Sequence, residues 1–248
     1  MWFFTADLHL NHSNIIKYCN RPFANPIESD LIKLAQEKII PYGDIRISQE
    51  STDKMTDSII DSINSTVSSN DNLVIIGDFC HTLNNERKQK TKELRERINC
   101  NNVYLILGNH DDRSVMKDCF TCYDYYVFNV NGQKIVTFHY PCRSWDRNLY
   151  GSWMLYGHTH GYFSKEDNGL LSEDEMRYFR LGFSQILSNH NIQRQQPLID
   201  ELMNVIQLTK GKKLTLDVGI DNVRQNVNFG VPWSFDEIND YMKAKKNP

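Results

Sequence analysis

Short apolar runs alternate along the chain with longer polar stretches. Six of the runs are too short for helices and rich in β-branched or aromatic residues, so they are predicted to be buried strands. They are Met1–Ala6, Leu73–Ile76, Val103–Leu107, Ile135–Phe138, Met154–Tyr156 and Leu214–Val218. Tyr125–Val130 and Gln133–Phe138 flank Asn131-Gly132, a dipeptide typical of a type I′ hairpin turn. An antiparallel pair is therefore expected within a mixed sheet.

The polar stretches carry apolar residues at helical spacing, which predicts helices packed against the strands. The clearest series are Met55, Ile59, Ile60, Ile63 and Val67, and then Leu31, Leu34, Ala35 and Ile39, the second ended by Pro41. Ser172-x-x-Glu175 and Ser234-x-x-Glu237 have the spacing of capping boxes, and Pro197 suits the first turn of another helix. Strands that alternate with helices are typical of the α/β class.

Five of the predicted strands end in residues that commonly bind metals. In chain order these motifs are Asp7-x-His9, Gly77-Asp78, Gly108-Asn109-His110-Asp111, His139 and Gly157-His158-x-His160. Loops at the carboxyl ends of strands in an α/β sheet gather around one crevice, so these residues can meet in one site. Gly77, Gly108 and Gly157 stand between strand and donor, where a close backbone approach requires a residue without a Cβ atom.

Composition excludes several classes of protein. With 248 residues, 40% of them hydrophobic and 24% charged, the chain is typical of a globular protein. Its apolar runs are shorter than the roughly 20 residues of a membrane helix, and its start lacks the layout of a secretory signal, which predicts a cytoplasmic protein. Six cysteines are too sparse for a disulfide scaffold. With a net charge of −3 the chain lacks the excess of basic residues that is typical of an extended nucleic-acid groove or a membrane-binding surface, so neither is expected.

The order of the five motifs resembles the calcineurin-like metallophosphoesterase superfamily, whose motifs run D-x-H, G-D, G-N-H-[DE], H and G-H-x-H. Each fragment alone is a weak signal, but the complete series, from residue 7 to residue 160, is highly specific. Within the superfamily the chain is similar to a branch of small bacterial and phage phosphoesterases. That similarity rests on Asp7–Ile16, Cys19–Phe23, His139–Pro141 with Trp145, and Leu216–Asp221.

The resemblance implies an α/β fold of layered mixed β-sheets, a β-sandwich, flanked by helices and with a helical insertion. Residues 1–248 are expected to form a single metallophosphoesterase domain, with insertions at about 28–54 and 162–213. The second insertion directly follows the last metal motif and is interpreted as a cap over the site. A dimer face is the alternative, so a homodimer stays open.

The resemblance also implies a dinuclear metal site. Carried over by position, its ligands would be Asp7, His9 and His160 for one divalent ion, Asn109, His139 and His158 for the other, and Asp78 as the bridge. Imidazole ligands favour transition metals over magnesium, so manganese is predicted, with iron, zinc, cobalt and nickel as alternatives. Two such ions would keep a net positive charge against two carboxylates and attract an anionic phosphate.

By the same resemblance, the protein would be a metal-dependent phosphoric ester hydrolase in which a metal-bound hydroxide attacks phosphorus in line. His110 would supply the proton that the leaving oxygen needs, and Asp111 would hold the His110 imidazole in the useful tautomer. The predicted substrate is a phosphodiester in a small nucleotide.

Other substrates and one other function are kept as alternatives. A phosphomonoester or a nucleic-acid end is the alternative substrate, and a catalytically silent metal-binding module is the rival function. A phosphoprotein is disfavoured, because Gly77–His81 and Asn109–Asp111 depart from the G-D-x-x-D-R-G and G-N-H-E of the superfamily's protein phosphatases.

Five further residues are predicted to bind substrate: His12, Asn14, Arg21, Arg143 and Trp145. Arginine can grip a phosphate through two hydrogen bonds, and tryptophan offers a face on which a base can stack. Asn14 could instead cap the adjacent helix, and Arg143 with Trp145 could be ordinary surface. His81 is interpreted as a residue that does not bind metal.

Overall fold

The computed structural model describes residues 1–81, 87–161, 214–222 and 227–246, together with residues 177, 180, 181, 184, 187 and 196–201. Its strands are β1 (Trp2–Thr5), β2 (Asn72–Ile76), β3 (Asn102–Ile106), β4 (Thr121–Tyr123), β5 (Tyr125–Val130), β6 (Gln133–Phe138), β7 (Trp153–Tyr156), β8 (Thr215–Asp217) and β9 (Trp233–Ser234). Its helices are α1 (Ser13–Tyr18), α2 (Pro26–Gln36), α3 (Gln49–Thr66), α4 (Arg87–Glu96), α5 (Arg113–Met116) and α6 (Phe235–Lys246), with 3₁₀ turns at Tyr42–Asp44 and Asn148–Tyr150.

The strands form two mixed sheets. The first has the order β4-β3-β2-β1-β9, in which β1 to β4 are parallel and β9 is antiparallel. The second has the order β5-β6-β7-β8, in which only the β5–β6 pair is antiparallel. Beyond β1 and β8, Ala6 bridges to Gly219, and the Ile220 amide donates to the Ala6 carbonyl at 3.2 Å. The two sheets are therefore linked just beyond the carboxyl ends of β1 and β8.

The first sheet is buried on both faces. Phe4 and Val74 belong to the core between the sheets, which also contains Leu155 of β7. Phe3 and Ile75, which point the opposite way along the same strands, pack in the core that holds the apolar residues of α1 and α3. Burial on both faces explains why β1 and β2 are nearly continuous apolar runs in the sequence.

The predicted α/β class with layered mixed sheets and flanking helices is confirmed. The predicted hairpin is also confirmed, since Asn131 and Gly132 have φ angles of 53° and 83°, as a type I′ turn requires. The capping box that begins α6 is present, with the Ser234 amide donating to Glu237 at 2.8 Å and the Glu237 amide donating to Ser234 at 3.2 Å.

The bounds of α2 differ from those predicted. Asn25 and Glu28 form a capping box that the sequence prediction missed, and Pro26 is the first helical residue. The helix ends at Gln36, because Lys38 adopts a left-handed conformation with φ 61°. Ile39, which was expected on the buried face of this helix, therefore lies beyond it and is 62% exposed.

Several predictions concern parts of the chain that the structure does not describe. The capping box Ser172-x-x-Glu175 and most of the insertion at about 162–213 lie outside the described residues, although 196–201, around Pro197, are helical. The domain count, the cap, the dimer and the cytoplasmic location stay predictions. Among the described helices, none has the length and apolar character needed to cross a membrane.

Candidate metal centre

The loops after β1, β2 and β3 of the first sheet meet those after β6 and β7 of the second. The Asp7 amide donates to the Gly77 carbonyl at 3.1 Å, which continues the pairing of β1 with β2. The Gly157 amide donates to the His139 carbonyl at 3.0 Å, which continues the pairing of β6 with β7. The His158 amide donates to the Asp7 carboxylate at 2.9 Å across the two sheets. The structure thus brings the five motifs into one hollow.

The backbone of this hollow is strained. Five of the residues predicted to bind metal have positive φ angles: Asp7 (57°), His9 (48°), Asp78 (56°), His158 (68°) and His160 (48°). Residues other than glycine seldom adopt such angles, and aspartate and histidine do so more readily than most. Backbone strain of this kind persists where surrounding contacts enforce it, commonly at functional sites.

One group of donors consists of Asp7, His9 and His160. Each offers one ligand atom, and these atoms all lie within 4.8 Å of one another. Asp7 and His9 are 0% and 1% exposed. These are the three residues expected to hold one of the two ions.

A second group contains Asp78 and His139, with Asp7 again in reach. Nε2 of His139 lies 3.1 Å from Oδ1 of Asn109, and that oxygen lies 3.0 Å from Nδ1 of His158. Nδ1 of His139 donates to the Ile76 carbonyl at 2.9 Å. Since the carbonyl can only accept, Nδ1 carries a proton, and Nε2 is the nitrogen that would bind a cation at the centre.

Asp78 lies between the two groups. Its Oδ2 is 3.4 Å from Nε2 of His9 and 3.4 Å from Nε2 of His139. Its Oδ1 accepts the backbone amide of His110 at 2.9 Å. Burial raises the pKa of Asp78, but the hydrogen bond and charge of His139 outweigh burial and lower the pKa to about 2. An ionised carboxylate in this place can bridge two cations.

The donor set fits divalent metal ions. Nε2 of His9 is buried and has no hydrogen-bond partner, although it faces the Asp78 carboxylate. Burial lowers the pKa of His9 to about 2, so its ring is neutral, and burial raises the pKa of the Asp7 carboxyl to about 7. A bound cation would accept the lone pair of His9 and favour the ionised form of Asp7. Mixed nitrogen and oxygen donors suit transition metals.

Two of the motif glycines make room for these donors. A Cβ atom at Gly77 would lie 2.0 Å from Nδ1 of His139, and one at Gly108 would lie 2.2 Å from Oδ1 of Asp78. Both distances are far shorter than any van der Waals contact. The expectation that the backbone approaches the donors closely at these turns is confirmed.

His110 is exposed at the edge of the centre. The predicted role of Asp111 as the residue that orients His110 is wrong, because its carboxylate is occupied by backbone amides. It accepts those of Asp78 at 2.8 Å, Phe79 at 3.0 Å and Gly108 at 2.9 Å. Asp111 thereby ties the loops after β2 and β3 together, and burial raises its pKa.

Two residues predicted to bind substrate are structural instead. Arg21 is 3% exposed, and its guanidinium donates to two carbonyls of the loop after β1 and to the Asp221 carboxylate, so it is not free to grip a phosphate. Trp145 is buried in a cluster on the outer face of the second sheet, and its Nε1 donates to Ser152. Burial removes the face on which a base was expected to stack.

The other predicted substrate-binding residues lie nearer the surface. Asn14 and Arg143 are exposed, and His12 rather than Asn14 occupies the N-cap of α1. Nδ1 of His12 lies 3.2 Å from Nδ1 of His9, and the His12 ring stacks on His81 with centroids 4.3 Å apart. Burial lowers the pKa of His12 to about 3. Contact of these residues with substrate stays a prediction.

Two carboxylates beside the centre were missed in the sequence. Asp217 accepts Oγ1 of Thr159 at 2.6 Å and the Gly161 amide at 3.0 Å. Asp221 accepts Nδ1 of His160 at 2.7 Å. Both belong to Leu216–Asp221, which contributed to the resemblance. Their partners are 58 and 61 residues away, so local spacing gave no signal of these contacts.

Comparison with known proteins identifies the family. The family model for calcineurin-like phosphoesterases matches residues 3–204. Uncharacterized protein MJ1445 of Methanocaldococcus jannaschii is 30% identical over 155 residues, which span 62% of this chain and 66% of that protein, just under two thirds of its length.

Two solved structures show weaker likenesses. The protein of unknown function AQ665 from Aquifex aeolicus has a TM-score of 0.40 at 22% identity, over 64% of this chain and 78% of its own. Vacuolar protein sorting 29 from Cryptosporidium parvum has a TM-score of 0.32 at 16% identity, over 64% of each chain. At these TM-scores neither likeness carries weight. The match to the family model covers most of the sequence, and the chain therefore belongs to the calcineurin-like phosphoesterase family.

Proposed function

We propose that this protein, whose family supports a metal-dependent phosphoesterase, hydrolyses a phosphodiester bond in a small nucleotide. The observation that carries the proposal is the pair of donor groups joined by Asp78, whose Oδ2 lies 3.4 Å from a ring nitrogen in each group. The proposed ligands are Asp7, His9 and His160 for one ion, Asn109, His139 and His158 for the other, and Asp78 for both. Manganese is the expected metal.

The centre is buried on one side and open on the other. Asp7, Asp78 and His139 are at most 2% exposed, whereas Asn109 and His158 are exposed to solvent. A phosphate group can therefore approach from the side of Asn109. Divalent ions bound at the centre would activate water as the nucleophile and neutralise charge on the phosphoryl oxygens.

In this proposal His110 acts as the general acid. Its ring is exposed, with the centroid 5.2 Å from that of His9. Its backbone amide donates to Oδ1 of Asp78 at 2.9 Å, which fixes the backbone of His110 beside the centre. An imidazole in this place can donate a proton to the leaving oxygen as the phosphorus–oxygen bond breaks.

Tyr140 supports a nucleotide as the substrate. Its ring centroid lies 4.6 Å from that of His158 and 5.1 Å from that of His139, and the residue is 37% exposed. A partly exposed aromatic ring beside a phosphate site offers a face on which a base can stack. Tyr140 thus takes the role that the sequence prediction gave to the buried Trp145.

The test is hydrolysis of bis(p-nitrophenyl) phosphate by chelator-treated protein, with and without added manganese. A panel of cyclic nucleotides, 2′,3′-cyclic nucleotides and dinucleotides follows with the same metal. We expect turnover only with metal, and faster turnover of diesters than of p-nitrophenyl phosphate. The variant His110→Ala should lower turnover roughly 100- to 10,000-fold. The control Ile27→Ala, which alters a side chain that is 74% exposed on α2, should leave turnover unchanged.

Each contrary outcome removes a different part of the proposal. Equal turnover by the native chain and His110→Ala would overturn the role of His110. Faster turnover of the monoester would replace the diester with the monoester alternative. Metal binding without turnover of any compound in the panel would favour the silent metal-binding module.

A further inference from the structure

Arg21 and Asp221 form a buried ion pair beside the metal centre. Nε of Arg21 donates to Oδ1 of Asp221 at 2.8 Å, and Nη2 donates to Oδ2 at 2.7 Å. The two side chains are 0% and 5% exposed. Two parallel hydrogen bonds between charged groups fix both side chains in one orientation.

From this pair, hydrogen bonds reach two loops that carry metal donors. Nη2 of Arg21 donates to the Asp7 carbonyl at 2.7 Å, and Nη1 donates to the Leu8 carbonyl at 2.9 Å. Oδ2 of Asp221 accepts Nδ1 of His160 at 2.7 Å. The pair therefore contacts the backbone that presents Asp7 and the ring of His160, which belong to the same group of donors.

We propose that Arg21 and Asp221 are positioning residues for one half of the metal centre. Asp221 holds Nδ1 of His160, so that Nε2 is directed to the ion shared with Asp7 and His9. Arg21 neutralises Asp221 and holds the loop after β1 in its left-handed conformation. Carboxylates that hold the second nitrogen of a metal-binding histidine commonly strengthen metal affinity in this way. The inference rests on the metal ligands given in the proposed function.

Asp221 could instead be a metal ligand itself. Ligand atoms of Cys19, His160 and Asp221 also lie within 4.8 Å of one another. A cation among them would face the guanidinium of Arg21, which already neutralises the Asp221 carboxylate through two hydrogen bonds. Like charges at this range repel strongly in a buried setting. We therefore assign Asp221 the role of orienting His160 rather than that of a metal ligand.

Paired substitutions test the inference, because a single one would leave a buried charge without its partner. The double variant Arg21→Met with Asp221→Leu removes both charges and the acceptor for His160. The double variant Arg21→Met with Asp221→Asn removes the charges but keeps an oxygen that can accept Nδ1 of His160. The control is Arg97→Met with Asp57→Leu, which removes an exposed ion pair.

The readouts are calorimetric titration of chelator-treated protein with manganese and the melting temperature before metal is added. The leucine variant should weaken the affinity for one ion about 10- to 100-fold. The asparagine variant should recover the part of that affinity that depends on the acceptor for His160, but not the part that depends on the hydrogen bonds of Arg21 to the Asp7 and Leu8 carbonyls. The control should bind manganese and melt as the native chain does.

Native affinity in the leucine variant would overturn the positioning role and leave the proposed function intact. Failure of the native chain to bind manganese would overturn the proposed metal centre itself. Should the leucine variant not fold, Asp221→Glu carries the test, since it keeps the charge and displaces the carboxylate by one methylene. Native affinity in that variant would likewise overturn the inference.

Discussion

Gly108 has no side chain, yet the position of Asp78 depends on it. A Cβ atom at this residue would lie 2.2 Å from Oδ1 of Asp78 and 2.6 Å from its backbone nitrogen. Asp111 also binds the amides of both residues, so the two loops are held in direct contact. The Asp78 carboxylate can therefore occupy its place between the two donor groups only because residue 108 has no Cβ atom.

Gly108→Ala should displace Asp78 and weaken metal binding. The contact, rather than backbone conformation, is the cause we expect, because the φ of Gly108 lies outside the left-handed range. The affinity for manganese, measured by titration, and the melting temperature should both be lower than those of the native chain. The matched control is Gly43→Ala, where a Cβ atom meets nothing within 4 Å. Equal metal affinity in the two variants would contradict this account of Gly108.

At the scale of residues, the sequence predicted which side chains meet but not what each one does. The donors were recognisable because their types follow strands in a specific order. Arg21 and Trp145 were assigned to substrate because their burial depends on contacts that no local pattern reports. Asp111 sits next to His110 in sequence, but its carboxylate turns to the backbone of the neighbouring loop. Asp221 was missed because its partners lie far along the chain.

At the scale of elements, Glu28 connects the first turns of α2 and α3. Its carboxylate accepts the Asn25 amide at 2.8 Å, the Ser48 amide at 2.6 Å and Oγ of Ser51 at 2.6 Å. Burial raises the pKa of Glu28, but these hydrogen bonds outweigh it and hold the pKa below its usual value. The ionised side chain therefore stabilises the folded chain.

Glu28→Gln should destabilise the protein by about 1 to 3 kcal/mol at neutral pH, because a hydrogen-bonded charge is lost. The folded-state pKa is the lower one, so this contribution is complete above the unfolded pKa of about 4.3. It disappears as pH falls through the folded-state pKa, and the difference between native and variant chains should shrink with it. Urea unfolding from neutral pH downwards measures both effects.

The control for this prediction is Glu50→Gln, which removes an exposed carboxylate from the first turn of α3. It should change stability by only a few tenths of a kcal/mol. A Glu28→Gln effect no larger than that of the control, or one independent of pH, would contradict the role of Glu28.

Element prediction succeeded where periodicity and burial agree. Four strands have ends that lie within one residue of the predicted bounds, namely β1, β2, β3 and β7. These strands were predictable because burial on both faces gives continuous apolar runs. The edge strands β4 and β9 were missed, since three and two residues are too few to form a pattern. The end of α2 was misplaced because the left-handed Lys38 precedes the proline that was expected to stop the helix.

At the scale of the whole molecule, the site depends on how the two sheets meet. The bridge between Ala6 and Gly219 joins the ends of β1 and β8. This contact brings Asp7 beside the Gly157 loop and places Asp221 against His160. The sequence predicted convergence of the motifs, but the pairing between the sheets could not be read from it, since a single bridge of this kind leaves no periodic signal.

The net charge of −3 bears on how the proposed function would attract its substrate. A protein that binds phosphate esters needs local positive charge, and in this account bound metal ions supply it. The guanidinium of Arg21, beside the described site, is already neutralised by Asp221. Removal of metal should therefore abolish attraction for anionic substrates as well as turnover.

Two divalent ions are proposed to share one centre bridged by Asp78. This arrangement is tested most directly by the electron paramagnetic resonance spectrum of chelator-treated protein loaded with manganese, together with the manganese content per chain. We expect about two ions per chain and a spectrum of exchange-coupled ions, as the shared carboxylate implies. A single ion per chain with the six-line spectrum of isolated manganese, or no bound manganese at all, would contradict this arrangement.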